Sequence, residues 1–110
     1  MNTAVIVGRV GKDPDIKYYE SGKIRTSFSV AVNRWDSKTK SEVTDWFNIE
    51  VWDKQAEFAG EYVKKGRLLA IDGRIQVNVY TDATGVERQW NSIVASNIRL
   101  LGSRRDEEQQ

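Results

Sequence analysis

Two sets of side chains in this sequence could do chemistry. Asp45, Glu50 and Asp53 fall close together, and Trp46 and Trp52 lie among them. Paired carboxylates can serve as acid and base in glycoside hydrolysis, and indoles also stack on sugars. Read as an extended strand, however, "TDWFNIEVWDK" (44–54) sends alternate residues to opposite sides. Glu50 then shares a side with Trp46, Asn48 and Trp52, while Asp45 and Asp53 fall at the ends of the other side with Phe47, Ile49 and Val51. The carboxylates do not converge. With no histidine and no cysteine in the chain, the commonest general base and metal ligand is missing and thiol chemistry is excluded. No enzyme, metal or cofactor is expected.

The aromatic residues make the stronger set. Trp46 and Trp52 are about 20 Å apart along a strand rising about 3.3 Å per residue, too far to stack on each other. Each could stack on a separate base of an extended nucleic-acid strand. Such stacking is worth about 1–3 kcal/mol per base and tolerates any sequence. The chain carries 17 basic and 16 acidic residues, a net charge of +1. Charge alone would hold nucleic acid poorly at that balance, so stacking would have to supply much of the affinity. The alternative for any one tryptophan is packing, either in the core or beneath a neighbouring subunit.

Apolar alternation predicts the elements that position these rings. A first strand over 3–10 is apolar on both faces (Ala4, Val5, Ile6, Val7), so both should be covered, one by the core and one by a second subunit. A second, over 23–35, turns Ile24, Phe28, Val30 and Val32 inward and Lys23, Arg25, Ser27, Ser29, Asn33 and Trp35 outward. The third is 44–54. A fourth, over 67–80, sets Leu69, Ile71, Ile75, Val77 and Val79 against Asp72, Arg74, Gln76, Asn78 and Tyr80. A fifth, over 87–101, slips in parity between Trp90/Val94 and Ile93/Ala95. A bulge is expected there, and Trp90 reads as structural. Turns fall at 11–15, 20–23, 36–42 and 81–87. Between the third and fourth strands, Asp53 reads as a helix N-cap. Phe58, Ala59, Tyr62 and Val63 read as the apolar helix face, and Gly66 as the C-terminal cap. Tyr18, Tyr19 and Tyr62 read as packing residues. Gly8, Gly11 and Gly73 read as bends or close approaches rather than phosphate cradles.

Three strands, a helix and two strands is the order of the OB-fold, a five-stranded Greek-key barrel in the all-β class. Trp35, Trp46, Trp52 and Tyr80 all fall on its polar face, on three separate strands. Arg34, Lys54 and Arg74 adjoin them and could meet phosphates. The length of 110 residues suits one domain. It is expected over 1–102, with 103–110 a short, polar, disordered tail. No apolar run is long enough for a membrane helix, and the N-terminus has no export-signal pattern. A cysteine-free chain suits the cytoplasm.

The stretches "VIVGRVGKDPDIKY" (5–18), "TDWFNIEVWDKQAEFAGEYVKKG" (44–66), "AIDGRI" (70–75) and "YTDATG" (80–85) resemble the bacterial single-stranded DNA-binding protein family over about residues 2–102. The resemblance implies an OB barrel, usually assembled as a homotetramer, that coats single-stranded DNA during replication, recombination and repair. The family's stacking aromatics match Trp35, Trp46, Trp52 and Tyr80, and its basic contact positions match Lys17, Lys54 and Lys65. Where the family often has Phe, this chain has Trp52; where it often has Trp, this chain has Tyr80. Several basic positions of the fourth strand are Gln76, Asn78 and Val79 here. Typical members continue into a long tail with an acidic tip that recruits replication and repair proteins. This sequence ends at "SRRDEEQQ", so such recruitment is expected only if the native chain carries a longer acidic tail. Self-assembly as a tetramer, or as a dimer, is expected from the resemblance and the apolar first strand. The competing readings are a short OB protein of primosome assembly, an RNA-preferring relative, and a purely structural oligomerisation domain.

Overall fold

A computed structural model describes residues 1–102. The tail expected over 103–110 lies outside the described residues. The elements are β1 (Ala4–Val10), β2 (Asp15–Tyr18), β3 (Ile24–Asp36), β4 (Ser41–Trp52), α1 (Lys54–Tyr62), β5 (Leu68–Thr81) and β6 (Glu87–Leu100). The sheet runs β1-β5-β6-β4-β3-β2, and an additional β1–β3 pairing closes the first five strands of that order into a barrel. All pairings are antiparallel except β4–β6. This is the expected OB-fold, with its helix between the third and fourth barrel strands.

The extra strand, β2, was not predicted. It has four residues, all exposed, so no buried stripe marks it. It continues along the edge of β3 that β1 begins: Val10 pairs with Val30, Gly11 N donates to Ser29 O, and Asp15 pairs with Ser27. The ladder breaks between them at Pro14, which has no N–H to give.

The inward residues of the barrel strands form the core: Val10, Phe28, Val30, Ile49, Val51, Leu69, Ile71, Ile93 and Ala95, closed below by Ala59 and Val63. Thr26 is fully buried among them, and its Oγ1 donates to Ala56 O at 2.6 Å. That bond ties the helix to β3 while satisfying a polar group that would otherwise be costly to bury.

The helix differs from expectation in three respects. Asp53 occupies the N-cap position but makes no side-chain cap; its φ is 58° and its carbonyl receives the first helical N–H groups. The buried face is Ala56, Ala59 and Val63, whereas Phe58 and Tyr62 stand outward, rings 5.0 Å apart. Ala56 and Ala59 face the barrel, and the helix also lies close to β2, where a Cβ on Gly60 would run into Ile16. Gly66 does not cap the helix, which ends at Val63. With φ 84°, Gly66 turns the chain into β5 and donates to Val10 O at 2.8 Å.

The bulge lies in β6. Asp72 pairs with Asn97 but Gly73 with Ala95, leaving Ser96 unpaired. A Cβ on Gly73 would strike the Val94 carbonyl, so the strands can meet here only without one. Past the Ile75–Ile93 pair, where the pairing of β6 with β4 also ends, β5 and β6 leave the barrel as an arm. Ile75, Val77 and Val79, predicted to be core, are therefore 44–57% exposed. Alternation assigned them the correct side of the strand, but the barrel wall opposite has ended.

Candidate nucleic-acid interface

Antiparallel partners share a face, so the register defines the outer surface residue by residue. On β3 and β4, Trp46 stands opposite Ala31, Asn48 opposite Ser29, Glu50 opposite Ser27, and Trp52 opposite Arg25. Lys17 of β2 pairs with Arg25 and joins the same row. Toward the tip of the β3–β4 hairpin the same parity carries Asn33 and Trp35. Glu50 also pairs with Val94 of β6, and Val94 with Arg74 of β5. Further along the arm, Gln76, Asn78 and Tyr80 pair with Ser92, Trp90 and Arg88. All four predicted aromatics thus lie on one continuous outer face.

Their settings differ. Trp35, Trp46 and Tyr80 are 65, 59 and 51% exposed. The Trp46 ring lies over Gly11: a Cβ there would meet it, with Ser29 Oγ 3.1 Å away. Glycine thus provides the seat on which this indole rests. Trp52 is half-buried because Tyr19 stacks on it, centroids 5.8 Å apart and planes inclined by 22°. Lys17 Nζ lies 5.0 Å from the Tyr19 ring centre and Arg25 Cζ 5.9 Å from it. Tyr19 is therefore a packing residue as expected, but its packing is within the candidate site. Tyr18, which flanks a turn, is exposed, and Tyr62 packs against Phe58 at the surface.

Trp90 was read as structural, yet it belongs to this face. It pairs with Asn78, is 41% exposed, and lines a recess together with Arg25, Ser27, Asn48 and Glu50. The signal was available. Counting back from Ile93 and Ala95 puts Trp90 outside, and the bulge shifts parity only beyond Ser96.

The basic residues divide. Lys17 and Arg74 lie on the face. Lys54 opens α1 directly after Trp52 and Asp53. Arg34 has the opposite parity from Trp35 and stands on the other side of the hairpin, its Nε 2.7 Å from Asp45 Oδ2. Lys65 sits in the turn after the helix, its backbone N–H donating to Asp13 Oδ1. A polar chain crosses the face between the aromatics. Arg74 Nη1 donates to Gln76 Oε1, Gln76 Nε2 to Asn78 Oδ1, Asn78 Nδ2 to Ser92 Oγ, and Ser92 Oγ at 3.4 Å to Glu50 Oε1. At the arm's tip, Asp82 accepts from Thr84 Oγ1, Arg88 Nε and the Val86 and Thr84 N–H groups, which lower its pKa to about 2.

Among the described residues no group of acidic residues is placed to hold a metal, and Asp45 and Glu50 face opposite ways, so no acid pair forms. Flat rings alternate with small polar groups and a few cations, which is what an extended single strand needs to lay its bases down. Residues 1–101 match the profile of the single-strand binding protein family. The chain belongs to that family. Relatives include single-stranded DNA-binding protein 1 of Synechocystis sp., 47% identical, and single-stranded DNA-binding protein 1 of Nostoc sp., 45% identical. The alignments cover 96% of this chain and 88% and 87% of those proteins respectively. The fold is also similar to a Plasmodium falciparum SSB solved in complex with ssDNA. The TM-score is 0.84 at 27% identity, covering 93% of this chain and 96% of that one. The family thus accords with the sequence resemblance, and the OB barrel with the strand order.

Proposed function

We propose that this protein binds single-stranded DNA without strong sequence preference and shields it during replication, recombination and repair. The observation that carries the reading is the single outer face on which Trp35, Trp46, Trp52 and Tyr80 are all displayed, reached through three different strands. Bases stack on these rings, and Lys17, Lys54 and Arg74 lie where they can meet the phosphates between them. Lys65 and Arg34 serve a strand that wraps beyond the face; Arg34 must first leave Asp45. The protein acts by occupancy, with no reaction, and works in the cytoplasm.

Assembly into a homotetramer is part of the same proposal. Among the described residues, β1 from Ala4 to Gly8 has a ladder partner on one edge only, β5. Its outward residues Val5 and Val7 are 69 and 51% exposed. An apolar strand with a free edge is a ready surface for a second copy.

Competition decides the ligand class. Tryptophan emission should fall on adding oligo(dT), and unlabelled single-stranded DNA should displace the bound strand far better than duplex. Equal displacement by duplex would refute the proposal, while stronger displacement by matched RNA would transfer it to an RNA-binding relative.

A further inference from the structure

Glu50 is out of keeping with the face it occupies. It is 7% exposed and surrounded by aromatic, neutral polar and cationic residues. Among the described residues no arginine or lysine closes an ion pair on it, and its one hydrogen bond, from Ser92 Oγ, is long at 3.4 Å. A carboxylate has about four acceptor sites, so most of its capacity is open. Arg25 lines the same recess as Glu50, and its Nε is buried without a hydrogen-bond partner. The recess measures about 250 Å³ and the Trp90 indole forms part of its wall.

A carboxylate with open acceptor sites and an arginine thus line one cavity beside an aromatic ring. A phosphate is the wrong occupant, because the carboxylate would repel it. The edge of an unpaired base carries donors and acceptors side by side and brings a flat face for the ring. Carboxylates accept from the exocyclic amine of cytosine, and its neighbouring ring nitrogen or carbonyl can accept from Arg25. Uracil and thymine turn a carbonyl toward the same carboxylate, acceptor against acceptor.

We propose that this recess is a base-reading subsite that favours an unpaired base bearing an exocyclic amine, with Glu50 as acceptor, Arg25 as donor and Trp90 as stacking wall. The preference is local: it modulates a binding mode that elsewhere reads only flat faces. It rests on the single-strand binding proposed above and deepens it.

The test compares matched homopolymers of deoxycytidine and deoxyuridine, bases of the same size that differ at position 4. The ratio of their dissociation constants is measured for the native chain and for Glu50→Gln, so that intrinsic differences between the polymers cancel. The native chain should favour deoxycytidine by about fivefold or more over the ratio shown by the variant. As a check needing no folded variant, N4,N4-dimethylation of the cytosines should weaken native binding by a similar factor. Ratios equal within error, together with indifference to dimethylation, would overturn the subsite while leaving single-strand binding intact. Failure of both polymers to bind would overturn both proposals.

Discussion

Replacing Gly11 by alanine tests whether Trp46 is held in position by its surroundings. The added Cβ falls on the Trp46 ring, with Ser29 Oγ 3.1 Å away on the same side. The backbone at Gly11 needs no positive φ, so alanine strains nothing there except the ring's seat. Trp46 is already 59% exposed, and tipping it outward removes little buried area. The cost should therefore appear in binding rather than in stability. One lost stack is worth about 1–3 kcal/mol, and each 1.4 kcal/mol is about tenfold in affinity. A displaced ring keeps some stacking, so Gly11→Ala should weaken oligo(dT) binding by about three- to thirtyfold. Urea midpoints should shift by less than about 1 kcal/mol equivalent. The assay is an equilibrium fluorescence titration, paired with urea denaturation. Native affinity with unaltered emission would show that the glycine does not seat the indole. A large loss of stability would show that Gly11 serves the barrel instead.

Thr26→Val removes the hydroxyl that bonds Ala56 O but keeps the shape, so it should cost about 0.5–1.5 kcal/mol in urea denaturation and leave DNA affinity unchanged. Val7→Glu places a charge on the exposed outer face of β1. Sedimentation should show a smaller assembly, and an unchanged particle would remove β1 from the proposed interface. Asp82 has a folded pKa of about 2, below the ordinary 3.8. Its ordering of the arm's tip is therefore fully present above about pH 4 and lost as pH falls through about 2. Hydrogen exchange of the Thr84 and Val86 amides should rise over that window, and Asp82→Asn should remove the dependence.

Legibility in the sequence followed burial. Where a strand has the core on one side and water on the other, alternation placed the residues correctly: Phe28, Val30, Ile49, Val51, Leu69 and Ile71 inward, Trp35, Trp46 and Trp52 outward. Alternation identifies a side, not what covers it. Ile75, Val77 and Val79 have the parity of the core yet project past the barrel, because the arm's length is a tertiary fact. β2 has no buried stripe and left no pattern. Of the predicted helix face Phe58, Ala59, Tyr62 and Val63, the small Ala59 and Val63 are buried with Ala56, whereas Phe58 and Tyr62 stand outward. Arg34 was grouped with Trp35 by adjacency, and adjacent strand residues point apart. The bulge that obscures the parity of Trp90 lies beyond it.

The central claim is that exposed rings, rather than charge, grip the unpaired strand. Its most direct test is oligo(dT) affinity for the native chain and for Trp46→Ala, each at low and high salt. The tryptophan variant should lose about 1–3 kcal/mol, by nearly the same amount in both salts, because stacking is not screened. Native affinity in the variant, or a difference that vanishes when salt is raised, would contradict the claim.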